Sequence, residues 1–193
     1  MTKKLPGKVV FTGGPSGGKT SIIEVVQRHF GKKVAVVPEA ATILYGGGFP
    51  RQPGDENMRH IQRAIYYTVR ELEEIVALNN PQASVILCDR GTLDGLAYWP
   101  KDGESFLDSL HSGLAEEFSR YSIVLHLRSP KQELAYQLSK TRIESHRESL
   151  LLDRKMDRVW EGHPNRFIVE EEKDFLVKVN RVIQILETEI PRL

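Results

Sequence analysis

The segment that most constrains the fold of this chain is the loop at residues 13–20, which reads Gly-Gly-Pro-Ser-Gly-Gly-Lys-Thr. It meets the pattern G-x-x-x-x-G-K-[ST] at its fixed positions, Gly13, Gly18, Lys19 and Thr20. An apolar, β-prone run precedes the loop, and a helix-compatible run follows it. Strand, glycine loop and helix together are typical of a phosphate-binding loop, whereas a flexible Gly/Ser linker needs neither flank.

This loop predicts a site for the phosphates of a nucleoside triphosphate, either ATP or GTP. Its backbone N–H groups and the positive end of the following helix dipole attract anions. We expect Lys19 to reach the β- and γ-phosphates and the Thr20 hydroxyl to bind Mg²⁺. The residues expected to contact the nucleotide are consecutive: Gly13, Gly14, Pro15, Ser16, Gly17, Gly18, Lys19, Thr20 and Ser21.

The rest of the chain alternates between short apolar runs and longer segments with helical periodicity. The predicted strands are 8–12, 33–37, 84–88, 123–127 and 166–169, and the helical segments are about 19–30, 56–79, 104–119, 130–160 and 173–188. This alternation predicts a single α/β domain over 1–193, a P-loop NTPase fold with a doubly wound, parallel, five-stranded sheet and helices on both faces. The stretch 46–54 reads as a loop that either connects two elements or faces a substrate.

Composition narrows the classes of partner and compartment. The 27 basic side chains nearly cancel the 26 acidic ones, so we expect no nucleic-acid partner. Cys88 is the single cysteine and ends an apolar run, which predicts a buried thiol and a reducing compartment. Because no segment has the length of a signal peptide or a membrane span, we expect a cytoplasmic protein. Its oligomeric state stays open, with a homodimer as one option.

Two residues at the end of the third predicted strand indicate transfer rather than hydrolysis. Asp89 follows the strand directly and is the candidate second ligand of Mg²⁺, although Asp also favours turns and caps. The next residue is Arg90, where many motor-type ATPases carry a glutamate that activates water. A guanidinium stays charged and cannot accept that proton, but it can bind a carboxylate or phosphate through two hydrogen bonds. Arg90 therefore favours phosphate transfer to a bound acceptor.

Glu39 and two arginines complete the candidate catalytic set. Glu39 follows the second predicted strand and is the candidate general base for an acceptor hydroxyl; the alternative is a solvated carboxylate that caps the next helix. Arg142 and Arg147 lie in the charged segment 140–160, which we interpret as a helical lid that delivers positive charge during transfer. A solvated helix face with spaced ion pairs would give the same pattern.

Taken together, these segments resemble the P-loop kinase-like ATPase family over nearly the whole chain. That family includes the ribosylnicotinamide kinase domain of bacterial NAD regulators, and the chain is also similar to deoxynucleoside kinases. The motifs that carry the resemblance are the loop at 13–20, Pro-Glu-Ala-Ala at 38–41 and Cys-Asp-Arg-Gly at 88–91. The resemblance implies a base role for Glu39, an acceptor-side role for Arg90 and lid roles for Arg142 and Arg147. The chain departs from deoxynucleoside kinases at Gly91, where they usually have Ser, and at the loop 46–54.

The leading hypothesis is a small-molecule kinase, with Mg·ATP as the donor and a hydroxyl-bearing, nucleoside-like or other metabolite as the acceptor. The alternative is a nucleotide-dependent switch or interaction protein with weak hydrolysis. The chain has neither the Asn-Lys-x-Asp motif of regulatory GTPases nor a Leu-Ser-Gly-Gly signature of transporter ATPases. Binding to a lipid surface is a third, weaker option that the nearly neutral charge does not favour.

Overall fold

All five predicted strands form, and they lie side by side in one parallel sheet. The computed structural model describes residues 6–130, 146–172 and 174–192. The strands are β1 Gly7–Thr12, β2 Val34–Val37, β3 Val85–Asp89, β4 Ile123–Leu127 and β5 Arg166–Val169. Their order across the sheet is β2-β3-β1-β4-β5, and every pairing is parallel. The predicted α/β class and the parallel, five-stranded sheet are confirmed.

The central strand β1 marks the point where the winding of the sheet changes direction. Val9 of β1 pairs with Leu87 of β3 on one side and with Ile123 of β4 on the other. In open parallel sheets, ligands bind outside the carboxyl ends of the strands at such a switch point. The loop at residues 13–20, called the phosphate loop below, follows β1, so the topology places it at this edge.

Seven α-helices connect or flank the strands in the part of the chain that the structure describes. They are α1 Lys19–Phe30, α2 Ala40–Gly46, α3 Asp55–Asn79, α4 Phe106–Ser109, α5 Leu114–Ser119, α6 His146–Val159 and α7 Phe175–Glu189. The bounds of α1, α3 and α7 lie within two residues of the predicted ones. Between α2 and α3 the chain runs without regular structure, as the glycines of 46–54 predicted.

Three local features differ from the prediction. The helix expected over 104–119 divides into α4 and α5, because His111 adopts a left-handed φ of 51° and the chain turns before Gly113. The lid segment is described only from residue 146, where α6 begins, so 131–145 lie outside the described residues. A 3-10 helix, Thr92–Ala97, follows β3 and was not predicted.

The helices cover both faces of the sheet, each over its own apolar cluster. Val9 and Phe11 of β1 pack into a cluster with α1 and α7, whereas Val10 packs into a second cluster with Trp160 and side chains of α3. Alternate residues of one strand thus pack on opposite faces of the sheet. Because both faces are covered, the strands are continuous apolar runs in the sequence. Cys88 lies in the second cluster, and burial raises the pKa of its thiol well above the usual value, as an inert thiol requires.

A buried polar cluster joins α3 to the turn after β3. The Tyr121 hydroxyl donates to Glu73 at 2.6 Å and accepts the Thr92 backbone N–H at 2.9 Å. The Thr92 hydroxyl donates to Glu117 at 2.6 Å, and Arg120 pairs with Glu73 at 2.7 Å. Both carboxylates are fully buried, so these partners are what makes their burial tolerable. The cluster fixes the backbone just after Arg90.

Candidate functional site

A cavity of about 740 Å³ opens where the phosphate loop, β2 and β3 end. Six of the residues predicted from the sequence line it: Pro15, Lys19, Thr20, Glu39, Asp89 and Arg90. They reach the cavity from three different strand ends and from α1, because parallel strands present their carboxyl ends at one edge. The structure therefore brings the predicted phosphate-side and acceptor-side residues into one space.

The phosphate loop folds tightly around the amine of Lys19. Its Nζ donates to the carbonyl oxygens of Gly13 at 3.0 Å and Gly14 at 2.7 Å. Burial, followed by the charge of Arg90, lowers the pKa of Lys19 to about 7. At Gly13 the loop needs glycine, since φ is +119° and a Cβ there would lie 2.2 Å from the Leu127 carbonyl oxygen.

Thr20 and Asp89 form the pair expected for Mg²⁺. The Thr20 hydroxyl donates to one Asp89 carboxylate oxygen at 2.7 Å. The other oxygen, Oδ1, is buried and has no hydrogen-bond partner among the described residues. Burial and the nearby charge of Glu39 raise the pKa of Asp89, so a cation here would relieve an uncompensated carboxylate. Within those same residues, no group of three or more His, Cys, Asp or Glu side chains could hold a metal by itself.

Glu39 and Arg90 contact each other in the cavity, where β2 and β3 end. The Arg90 Nε donates to Glu39 Oε1 at 3.2 Å, and its Nη1 donates to the Gly13 carbonyl oxygen at 2.6 Å. Thr42 donates its hydroxyl to the other oxygen of Glu39 at 2.5 Å. Burial acts to raise the pKa of Glu39, but Arg90 and Thr42 outweigh it and hold that pKa below its usual value.

The alternative role of Glu39 as a helix cap finds only partial support. Glu39 does occupy the residue before α2, but its side chain makes no capping hydrogen bond. Its carboxylate instead points to Arg90 and Thr42 and lines the cavity. The role of Glu39 toward a ligand in the cavity stays a prediction.

The two lid arginines are not brought into this cavity. Arg142 lies outside the described residues. Arg147 lies exposed in the first turn of α6 and does not line the cavity, whereas the adjacent Glu148 does. The start of α6 therefore borders the site, and the roles of both arginines stay predictions.

The far wall of the cavity is apolar and includes the loop 46–54. Ile61, Ile65 and Val69 of α3 line it together with Ala40 of α2. The loop adds the consecutive residues 51–53, and the Arg51 guanidinium lies 4.8 Å from the centre of the Tyr45 ring. The loop therefore connects α2 to α3 and also contributes to the cavity lining, and its role toward a substrate stays a prediction.

Asp94 is a buried residue of the site to which the sequence analysis gave no role. Its Oδ1 accepts hydrogen bonds at 2.7 Å from the Thr12 hydroxyl and from Nε1 of Trp160, and its Oδ2 lies 3.3 Å from Arg90 Nη1. It thus joins the end of β1, the chain just after α6 and the acceptor-side arginine. Only its position four residues after Arg90 could have indicated a contact.

Four more residues hold the phosphate loop from behind. Ser129 and Ser149 donate to the Pro15 carbonyl oxygen at 2.8 and 3.0 Å. Asp153 accepts the Gly14 N–H at 2.9 Å, and the Lys178 amine donates to the Gly17 carbonyl oxygen at 3.0 Å. These side chains come from the end of β4, from α6 and from α7, so no local sequence pattern could have grouped them.

The Gly91 position, where the chain departs from deoxynucleoside kinases, has a packing reason. A Cβ there would lie 2.6 Å from Cζ2 of Trp160 and 3.1 Å from Val10.

Gly91→Ser should therefore lower the free energy of unfolding by about 1–3 kcal/mol, because a fully buried indole must move. Urea unfolding checks this value. The matched control is Gly113→Ser, where a Cβ meets nothing within 4 Å; an equal loss in both variants would contradict the packing explanation.

The sequence of the chain matches a known protein family. A family model described as an AAA domain matches residues 8–175. No curated protein sequence matches the chain. Among the described residues, no helix combines the length and apolar character that crossing a membrane requires.

Solved structures show the same fold at low sequence identity. The NadR protein in complex with NAD and AMP-PNP has a TM-score of 0.67 at 14% identity, over 97% of this chain and 50% of that one. NadR in complex with NR has a TM-score of 0.71 at 14% identity, over 98% and 53%. Thymidylate kinase from Candida albicans has a TM-score of 0.63 at 14% identity, over 95% and 92%. The chain spans about half the length of the NadR chains. The P-loop kinase-like fold inferred from the residues is confirmed, and the chain belongs to the AAA domain family.

Proposed function

We propose that this protein is a kinase that transfers the γ-phosphate of Mg-bound ATP to a hydroxyl group of a nucleoside-like or other small metabolite. The single observation that carries the proposal is that one cavity holds both halves of such a site. Lys19, Thr20 and Asp89 form the donor half, and Glu39 with Arg90 forms the acceptor half. Many motor-type ATPases carry a glutamate that activates water next to this aspartate, whereas Arg90 stands there in this chain and cannot accept a proton.

On the donor half, Thr20 and Asp89 are the residues that would hold Mg²⁺. A hydroxyl, one carboxylate and phosphate oxygens form a ligand set that Mg²⁺ accepts, and the unpartnered Asp89 Oδ1 fits such an ion or a water bound to it. When bound, the ion neutralises charge on the β- and γ-phosphates. Lys19 binds the same phosphates from the floor of the loop, where its amine is already surrounded by carbonyl oxygens.

On the acceptor half, Glu39 accepts the proton of the attacking hydroxyl. Arg90 keeps this carboxylate ionised and oriented through the 3.2 Å contact from its Nε. Because Arg90 Nη1 also binds the Gly13 carbonyl oxygen, the same guanidinium sets the distance between Glu39 and the phosphate loop. The arginine that the sequence suggested as a ligand for the acceptor is thereby proposed to act first on Glu39.

The shape of the cavity supports an acceptor of nucleoside size. The apolar wall from α3 suits a ring system with a few polar groups, and the cavity of about 740 Å³ holds the transferred phosphate as well. The fold neighbours support the same class, since NadR was solved with NR and another neighbour is a thymidylate kinase. We further propose that Arg142 and Arg147 deliver positive charge to the transferring phosphate.

A panel of nucleosides and sugars tests the proposal. Purified protein with Mg·ATP should show slow basal hydrolysis that rises on addition of one acceptor, with a phosphorylated acceptor among the products. The product is identified by mass spectrometry. If no acceptor changes the rate while a nucleotide-dependent protein partner is found, the switch reading replaces the kinase.

The proposed metal pair gives a separate prediction. Asp89→Asn should lower turnover about 10–100-fold at low Mg²⁺, because a neutral amide oxygen binds Mg²⁺ more weakly than a carboxylate oxygen. Raising the Mg²⁺ concentration should restore part of the loss, which a titration of rate against metal measures. Asp108→Asn, at an exposed position in α4, is the control. A loss that does not depend on Mg²⁺ would contradict the metal role.

A further inference from the structure

We propose that Ser129, Ser149 and Lys178 are positioning residues that turn the amides of the phosphate loop toward the nucleotide. None of the three lines the cavity, and none belongs to the loop itself. The inference rests on the proposed nucleotide site and adds the residues that shape it.

Two carbonyl groups of the loop are held from outside. The Pro15 carbonyl oxygen accepts from the hydroxyls of Ser129 and Ser149, at 2.8 and 3.0 Å. The Gly17 carbonyl oxygen accepts from the Lys178 amine at 3.0 Å. The donors belong to the end of β4, to α6 and to α7, and none of them lines the cavity.

A trans peptide then fixes where the next N–H group points. No cis peptide bond occurs among the described residues, and in a trans peptide the C=O and the following N–H face opposite directions. With the Pro15 and Gly17 carbonyls turned outward, the N–H groups of Ser16 and Gly18 are turned to the opposite side. These are the donors that an anion in the loop needs.

The first peptide of the loop faces the other way and supports this reading. The Gly13 carbonyl oxygen accepts from Lys19 and Arg90, which both line the cavity, and the Gly14 N–H points outward to Asp153 at 2.9 Å. The loop therefore turns its carbonyl groups inward at its start and outward afterwards. The direction changes between the Gly14 carbonyl oxygen, which accepts from Lys19 at 2.7 Å, and the Pro15 carbonyl oxygen, which accepts from the two serines.

Burial makes these contacts effective as a fixed scaffold. Ser129, Ser149 and Lys178 are 2%, 1% and 6% exposed, so no bulk water competes for the carbonyl oxygens. Lys178 also donates to the Arg128 carbonyl oxygen at 2.9 Å, which ties the loop to the end of β4. Burial lowers the pKa of Lys178 to about 8, so near neutral pH the ammonium also adds positive charge behind the phosphates.

The two serines allow a test based on redundancy. Either single variant, Ser129→Ala or Ser149→Ala, leaves one donor on the Pro15 carbonyl oxygen, so the Kd for ATP and for inorganic pyrophosphate should rise less than about threefold. The double variant leaves that oxygen without either donor, and both Kd values should rise about tenfold, more than the product of the single effects. Equilibrium titration with each ligand measures this.

Lys178→Met should raise both Kd values about 10–100-fold, because it removes a charged donor from the Gly17 carbonyl oxygen. Lys32→Met, at an exposed lysine, and Thr188→Ala, whose hydroxyl also donates to a backbone carbonyl but far from the loop, are the controls. The melting temperature of each variant without ligand separates positioning from folding. Equal losses for ATP and pyrophosphate at a preserved melting temperature support positioning, since only the phosphates are shared.

The outcomes separate this inference from the proposed function. If the wild-type protein binds neither ATP nor pyrophosphate, the result contradicts the proposed nucleotide site itself. Wild-type protein that binds both, with unchanged affinity in the double serine variant, overturns only the positioning role. If Lys178→Met does not fold, the serine variants decide, because each replaces a hydroxyl that shares its acceptor.

Discussion

Replacing Lys19 by alanine should lower turnover by at least about 10³-fold, the scale of a cation that stabilises a transferring phosphoryl group. The amine lies at the centre of the loop, within 3.0 Å of two of its carbonyl oxygens. ATP affinity should fall as well, because the loop loses the charge that meets the β- and γ-phosphates. A coupled kinase assay and an ATP titration measure the two effects. Lys101→Ala, at an exposed lysine, is the control; unchanged turnover in the Lys19 variant would exclude the phosphate-loop role.

The depressed pKa of Lys19 adds a pH signature to this result. With a pKa of about 7 in the free protein, the amine loses its proton as the pH rises through 7. A bound triphosphate favours the charged amine, so binding should take up a proton and ATP affinity should fall as the pH rises above 7. Calorimetry in buffers of different ionisation enthalpy measures the uptake. In Lys19→Ala the proton uptake assigned to this amine should vanish.

Replacing Glu39 by glutamine should lower the transfer rate about 10²–10⁴-fold and leave ATP affinity nearly unchanged. Glutamine keeps the size of the side chain and can still contact Arg90 and Thr42, but it cannot accept the proton of an acceptor hydroxyl. Single-turnover rates and ATP titrations separate the two quantities. Glu74→Gln is the matched control, because Glu74 also pairs with a cation, Lys8, but lies far along α3 from the cavity.

The outcome for Glu39 distinguishes two roles. If ATP affinity and transfer fall together, Glu39 acts on the metal instead of the acceptor. Because Arg90 and Thr42 hold the pKa of Glu39 below its usual value, its carboxylate stays ionised throughout the neutral range. The transfer rate should therefore lose the contribution of this base only as the pH falls below the usual carboxyl range.

Local patterns were sufficient to predict the sheet and the phosphate loop. The strands are apolar runs bounded by turn residues, and the loop is defined by residues that are adjacent in sequence, so both are encoded within about ten residues. The split between α4 and α5 was missed because it depends on one left-handed residue, His111, that no periodicity marks. The sequence indicated α2 only as the helix that Glu39 would cap, because its seven residues are too few to show a repeat.

The residues of the candidate site that directly follow a strand were predictable from the sequence. Glu39, Asp89 and Arg90 follow strands directly, and the parallel topology brings such residues together. Asp94 and Lys178 could not be assigned, since their partners Trp160 and Gly17 lie 66 and 161 positions away in the chain. Contacts of that kind arise from packing, which a single sequence does not display.

The contact between Gly91 and Trp160 ties together two positions that are far apart in the sequence. A larger residue at 91 fits only if the indole at 160 gives way, and a smaller residue at 160 leaves a void that a side chain at 91 could fill. Selection therefore acts on the pair, and either change alone passes through a destabilised intermediate. Descendants of this chain should therefore retain both residues or exchange both.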